Sequence, residues 1–273
     1  MIRLLRAGFS RMFKNKYFWF CALATFFVSG VLTYIILMLG SAPITWEGMI
    51  FGFSGVSLFT SAAFAALFLG EEYSDNTIRN KLIIGRTRTQ IYFANLVTVV
   101  IGGLCMLMAE KLVPLAAALL GGAGALTMSA GDLMLGIVIC VCAVVASCVL
   151  FTAIGTVVTK KSAAVTLALT LTIGAYAVTP IIRNKLNKPQ IVTITEYDEN
   201  GNFAKEREEA NPEAAAGGLR VVLKNIYNTL SFGQLEQAAR DTDARTLLPL
   251  YSLGSIAVVA AAGGLIFRRK DIK

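Results

Sequence analysis

Apolar residues occupy six long blocks along this chain, Tyr17–Leu39, Met49–Leu69, Ile91–Met108, Leu133–Val158, Ala163–Ile182 and Leu247–Phe267, separated by shorter polar stretches. A helix needs about 20 apolar residues to cross a hydrocarbon core, so each block predicts one membrane span. The first is too long for the apolar part of a cleavable leader and has a long basic lead-in, which predicts an uncleaved span. After the third block, Glu110 and Lys111 interrupt a run that stays apolar to Leu120. An ion at the bilayer centre costs about 2.5–3.5 kcal/mol on insertion scales, so this pair is expected at the outer interface. Leu112–Leu120, with Pro114, then reads as a short interfacial or re-entrant piece, or as the end of a long tilted helix. Neighbouring helix positions do not face each other, which argues against a functional ion pair there.

Two polar segments carry patterns of their own. In residues 1–16, Ile2, Leu5, Phe9, Met12 and Phe13 recur at helical spacing with Arg3, Arg11 and Lys14 opposite, which predicts an amphipathic helix lying in the inner interface. A charged leader that merely sets topology would look similar. Residues 183–245 form the only sizeable polar region and fall outside by span count. There, Ile191–Tyr197 alternates like a strand and Asp198–Phe203 contains an Asn-Gly turn, predicting a hairpin. Leu219, Val222, Leu223, Ile226, Tyr227 and Leu230 follow at helical spacing, and their face is expected to pack on the outer ends of the spans. This insertion reads as a lid or vestibule wall.

Charge fixes the expected orientation. Lys and Arg gather before the first span (Arg3, Arg6, Arg11, Lys14, Lys16), after the second (Arg79, Lys81, Arg86, Arg88), after the fourth (Lys160, Lys161) and after the sixth (Arg268, Arg269, Lys270, Lys273). The opposite loops, 40–48 and 121–132, contain neither, so both termini and the 70–90 loop are expected in the cytosol. The net charge of +8 is thereby explained by topology rather than by nucleic acid.

Composition excludes several chemistries. Of 273 residues, 56% are apolar and none is histidine, which places the chain among integral membrane proteins. The five cysteines, Cys21, Cys105, Cys140, Cys142 and Cys148, all fall in apolar blocks and read as free, packing thiols without a zinc site. The nearest approach to a phosphate-cradling loop, residues 155–162, has Lys160 where the second glycine is required. No serine-hydrolase motif or intramembrane aspartate pair occurs.

The loop between the second and third spans is the most informative segment. It reads Gly70-Glu71-Glu72-Tyr73-Ser74-Asp75-Asn76-Thr77-Ile78-Arg79-Asn80-Lys81, then Gly85-Arg86-Thr87-Arg88-Thr89-Gln90-Ile91-Tyr92. Glu71, Glu72 and Asp75 suit the start of a short helix and Arg79 and Lys81 its end. In the order Glu72-Tyr73, Thr77-Ile78-Arg79, Gly85, Arg88, Ile91-Tyr92 the loop resembles that of type-2 ABC exporter permeases, the ABC-2 family. Asn76 departs from the glycine often found near that point. The resemblance extends to an interfacial helix before the first span, to Gly233-Gln234 before the last, where Phe232 replaces a common proline, and to the ending Phe267-Arg268-Arg269-Lys270-Asp271.

The resemblance implies that residues 70–90 form a coupling helix docked on a cytosolic ATPase dimer. Glu71 and Glu72 would contact the ATPase or brace the loop, and Tyr73, Thr77 and Arg79 share this coupling segment. Arg86 and Arg88 would tie it to neighbouring cytosolic elements or headgroups. No cofactor is expected on this chain, ATP and Mg belonging to the partner. The expected fold is an all-α integral membrane protein: an interfacial helix (1–16), five spans within 17–182, an extracellular α+β insertion (183–245), and a sixth span with a basic tail (246–273). A second copy or a related permease would complete a pathway through a bacterial plasma membrane for an amphipathic peptide, drug or lipid. A membrane sensor or assembly factor using the outer segment, and a membrane-embedded enzyme, are the alternatives.

Overall fold

The computed structural model describes residues 1–39, 45–52, 54–122, 124, 127–197, 203–211, 214–215, 217–238 and 245–270. Among these are six helices long and apolar enough to cross a membrane, one for each apolar block. The chain begins with α1 (Ile2–Lys14) and α2 (Lys16–Leu39). The second block is two pieces, α3 (Trp46–Phe51) and α4 (Val56–Ser74), whose facing ends are Gly52 and Gly55, both still in right-handed helical conformation. The short α5 (Thr77–Ile83) leads into α6 (Arg88–Ala117), α7 (Ala130–Val157) and α8 (Lys161–Asn187). An antiparallel hairpin follows, β1 (Ile191–Tyr197) and β2 (Phe203–Ala210), with Ile191 opposite Ala210 and a register shift at Glu196/Tyr197. The expected Asn-Gly turn lies outside the described residues. Two helices, α9 (Gly217–Thr229) and α10 (Ser231–Ala238), precede α11 (Leu248–Arg269).

Side-chain caps set several helix starts. Thr45, Thr87 and Ser129 accept from the N–H groups of Gly48 (3.3 Å), Gln90 (3.3 Å) and Asp132 (3.2 Å), opening α3, α6 and α7. The core runs along α4, whose Leu58, Phe64, Phe68 and Leu69 are buried against α6, α7 and α8. Small residues allow this closeness. A Cβ added at Gly102 would lie 2.4 Å from Phe64, and one at Gly103 only 2.3 Å from the Cys148 sulfur. By contrast, Trp19, Phe20, Phe27, Tyr34 and Met38 leave one apolar face of α2 exposed, a surface suited to lipid or another subunit.

The four basic groups of the sequence converge. Arg11, Lys81, Lys161 and Lys270 all bond to groups around the end of α4, so the starts of α2, α6 and α8 and the ends of α7 and α11 share one end of the bundle. At the other end, Glu47 accepts from the Thr127 and Met128 N–H groups (both 2.6 Å), joining α3 to the approach to α7.

Between these ends, α6 runs unbroken through Pro114 to Ala117, so the stretch after Lys111 is the end of a long helix, followed by a turn that leaves helical geometry at Gly121 (φ 90). Glu110 is fully buried, its carboxylate accepting from the Ser57 N–H (2.8 Å) at the start of α4. Lys111 donates to Ser54 Oγ (2.6 Å) and reaches Glu110 at 3.3 Å, so these sequence neighbours pair after all. The lysine's long flexible stem gives its ammonium the reach for this contact.

The insertion follows expectation only in part. Leu219, Val222 and Ile226 of α9 are exposed at 56, 54 and 42%, whereas Tyr227 is buried and Leu223 and Leu230 are half-buried, with Phe232 and Leu235 of α10 completing the packing. Ser231 donates to the Ala143 carbonyl (3.0 Å) and accepts from Ser147 Oγ (2.9 Å). At about 1.5 Å per residue, Ala143 lies roughly 20 Å along α7 from its start. From there α10 climbs to Ala238, whose carbonyl accepts from Arg245 (2.8 Å), which also donates to Asp132 (2.6 Å) in the first turn of α7. The turn between α9 and α10 is thus wedged among the long helices rather than laid across their tips. Its polar groups are satisfied there: Gln234 donates to Asn228 O (2.7 Å) and accepts from Ser252 (2.6 Å). Phe232, in the position of the common proline, lies inside α10.

Candidate coupling site

The last turn of α4 brings Glu71 and Glu72 to a helix C-terminus, where the backbone dipole disfavours negative charge. This corrects the expectation that they open the short helix. Cations and amides therefore gather from elsewhere in the fold. Glu72 is buried to 1% exposure, and its Oε1 lies 2.6 Å from Arg11 Nη1. Lys81 bonds the same oxygen and Asn95 donates to Oε2. Arg11 further donates to the Phe68 carbonyl (2.9 Å) and stacks 4.2 Å above the Phe68 ring. Thr77 Oγ1 donates to the Glu72 carbonyl (3.0 Å), one of the four that a helix end leaves open. One carboxylate thereby joins α1, α4, α5 and α6.

A second set of contacts reaches the remaining helices. Glu71 accepts from Asn15 and lies 3.9 Å from Lys161, which donates to the Tyr17 hydroxyl (2.9 Å). Tyr73 donates to the Thr156 carbonyl, and Lys270 donates to Tyr73 Oη (3.2 Å) and to the carbonyls of Thr156 and Val157 (both 2.8 Å). Those carbonyls end α7, where a cation is favoured by the dipole. Desolvation pushes the Lys270 ammonium below the usual lysine range. Through these pairs α2, α7, α8 and α11 are also anchored to the last turn of α4.

The helix α5 is held as a separate turn by its two ends. Asn76 enters it in the left-handed region (φ 52), which asparagine tolerates better than most side chains. At the exit Gly85 has φ 85, its N–H bonds the Leu82 carbonyl (2.9 Å) and the Arg86 N–H bonds that of Lys81 (3.1 Å). This is the Schellman pairing, which a left-handed glycine closes without steric cost. On the inner face Ile78 is buried with Ile91, Tyr92 and Phe267. On the outer face Arg79 is exposed, and Ile83 and Ile84 are 74 and 77% exposed.

The residues selected from sequence therefore divide. Glu72 lies inside and braces the loop, while Glu71, Tyr73 and Thr77 are half-buried contacts between elements. Arg79 faces outward, and Arg86 and Arg88 are half-buried beside the start of α6. Of the three residues assigned to the membrane interface, Arg3 and Lys14 are exposed on α1. Arg11 turns inward, because the buried Glu72 carboxylate offers a stronger partner than solvent. Sequence reasoning did not select Asn15, Lys81, Asn95, Lys161 or Lys270 for this site. Lys81 reads from sequence only as a cation suiting the end of the short helix, and Asn95 gives a signal of its own, an amide among apolar residues near the start of a span.

A sequence model for the family described as ABC-2 family transporter protein matches residues 4–176, more than half of the chain. The match covers α1 to most of α8, including all of α4, α5 and α6, and stops before the hairpin. No curated protein matches the chain.

Proposed function

Because this chain belongs to the ABC-2 transporter family, we propose that it is the membrane half of an ATP-driven exporter, worked by a separate ATPase that seats on α5. The family places it as a multi-pass permease component associated with an ABC ATPase. The observation that carries the finer reading is the contrast between the two faces of α5. Ile83 and Ile84 stand exposed beside Arg79, while Ile78 and the Glu72 network bind the same turn to α1, α4, α6 and α11. An exposed apolar pair edged by a cation fits a protein groove, and a rigid anchor behind it transmits displacement to the helices. On this reading α5 faces the cytosol, α1 lies along the inner interface, and two permease copies enclose a pathway for an amphipathic cargo. The hydrolytic chemistry, with its ATP and magnesium, belongs to the partner.

The test is capture of an ABC ATPase by the purified, detergent-solubilised chain from its own source cells. Ile83→Asp with Ile84→Asp should abolish capture while leaving the thermal unfolding midpoint unchanged. Equal capture by this variant would overturn docking through α5, and absence of an ATPase from every preparation would overturn the permease reading.

A further inference from the structure

Away from the coupling site, a cavity of about 480 Å³ lies between α2, the α3–α4 break, α8 and α10. Its volume falls within the roughly 300–1,000 Å³ of small-molecule sites. One wall is a triangle of aromatic rings, Phe59, Tyr176 and Phe232, with centroids 5.4–5.7 Å apart. Arg183 and Glu236 add an ion pair to the lining at 2.9 Å.

The donor and acceptor count in that pair is unequal. Glu236 already accepts on both oxygens, from Arg183 at Oε1 and from the Tyr227 hydroxyl at Oε2 (2.8 Å). A guanidinium offers five N–H donors, and among the described residues Arg183 uses one, toward Glu236. Its side chain remains 28% exposed. The cavity thus presents an apolar aromatic wall together with surplus donors on a fixed positive charge. Arginine's planar fork matches the geometry of carboxylate and phosphate oxygens.

We propose that this cavity binds an amphiphile with an anionic head group, carboxylate or phosphate, the head on Arg183 and the tail along Phe59, Tyr176 and Phe232. As a statement about exported cargo this rests on the permease reading; as a binding site it does not. The head group can belong to a membrane phospholipid or to a free amphiphile, and the same chemistry at Arg183 serves both.

The experiment uses the full chain in phosphatidylcholine nanodiscs, photolabelled with diazirine palmitate in one arm and diazirine phosphatidylglycerol in the other. Labelled residues are mapped by mass spectrometry. Label is expected on the aromatic triangle, displaced by dodecyl phosphate and not by dodecyltrimethylammonium. Arg183→Gln should weaken labelling about tenfold, the scale of one charge-assisted hydrogen bond. Glu236→Gln, which leaves the guanidinium without its competitor, should retain or raise it. Label from palmitate alone identifies a free amphiphile, from phosphatidylglycerol alone a lipid, and either supports the site. No label on the triangle, or equal displacement by the two competitors, overturns it. The competition uses the unaltered protein, so a variant that fails to fold leaves the answer intact. Labelling without ATPase capture would refute the permease reading alone, and capture without labelling would refute this proposal alone.

Discussion

Arg11 and Glu72 are 61 positions apart in sequence and 2.6 Å apart in the fold, joining the first helix to the end of α4. The carboxylate side chain is 2% exposed and the arginine 29%, so the pair is protected on one side and wetted on the other. Removing Arg11 leaves Glu72 with Lys81 and Asn95, which limits the damage without cancelling it. Arg11→Ala is expected to cost about 1–3 kcal/mol, the range for depriving a buried polar group of a partner. In a double-mutant cycle with Glu72→Gln the two losses should be non-additive by about 0.5–3 kcal/mol. Unfolding followed in detergent reads the cycle, and strictly additive losses would show that the contact carries no coupling.

The two faces of α5 should respond in opposite ways. Ile78 is 1% exposed against Ile91, Tyr92 and Phe267. Ile78→Ala opens a cavity there and is expected to cost about 2–5 kcal/mol. Ile84→Ser changes an exposed side chain and should stay within about 0.5 kcal/mol. Comparing the unfolding midpoints of the two variants checks this, and equal losses would contradict the assigned faces.

How much of this was legible in the sequence depends on the range of the forces involved. The six spans and their shared basic end follow from hydropathy and charge near the chain, which are local properties. The loop of residues 70–90 was marked by its residues, yet the sequence left Glu72 with two roles, contact with the ATPase or bracing of the loop. Whether a carboxylate faces a partner protein or a half-buried arginine depends on where α1 folds back, and no periodicity encodes that. The same applies to Arg11, whose helical spacing put it on the polar face of an interfacial helix. The α9 face packs through Leu223, Tyr227 and Leu230 and is exposed at Leu219, Val222 and Ile226, because a helical repeat reports an apolar stripe and not what covers it. Backbone geometry argued against a pairing of Glu110 with Lys111, an argument that neglects the reach of a lysine stem.

Close helix packing gives a third prediction. Gly103 has no room for a methyl group, the hypothetical Cβ lying 2.3 Å from Cys148 Sγ. Gly103→Ala should destabilise the protein by about 1–3 kcal/mol through overpacking. Cys148→Gly in the same chain removes the opposing sulfur, so the double variant should be more stable than the sum of the single losses implies. A purely additive outcome in detergent unfolding would place the strain elsewhere.

Orientation is open to a direct measurement. Lys and Arg concentrate at the end of the bundle that carries α5, and such charge is retained on the cytosolic side during insertion. Asp75 is exposed at that end, and Glu208 is exposed on β2, in the insertion between the fifth and sixth spans. The native cysteines contribute little background, since Cys21, Cys140 and Cys148 are buried and Cys105 and Cys142 are half-buried within helices. In intact cells a membrane-impermeant maleimide should label Glu208→Cys above the level of the parent chain. Asp75→Cys should label only after permeabilisation. Because the six candidate spans fix the side of each connecting segment relative to the others, reversal of this pattern would invert every segment at once, placing α5 outside and out of reach of any cytosolic ATPase.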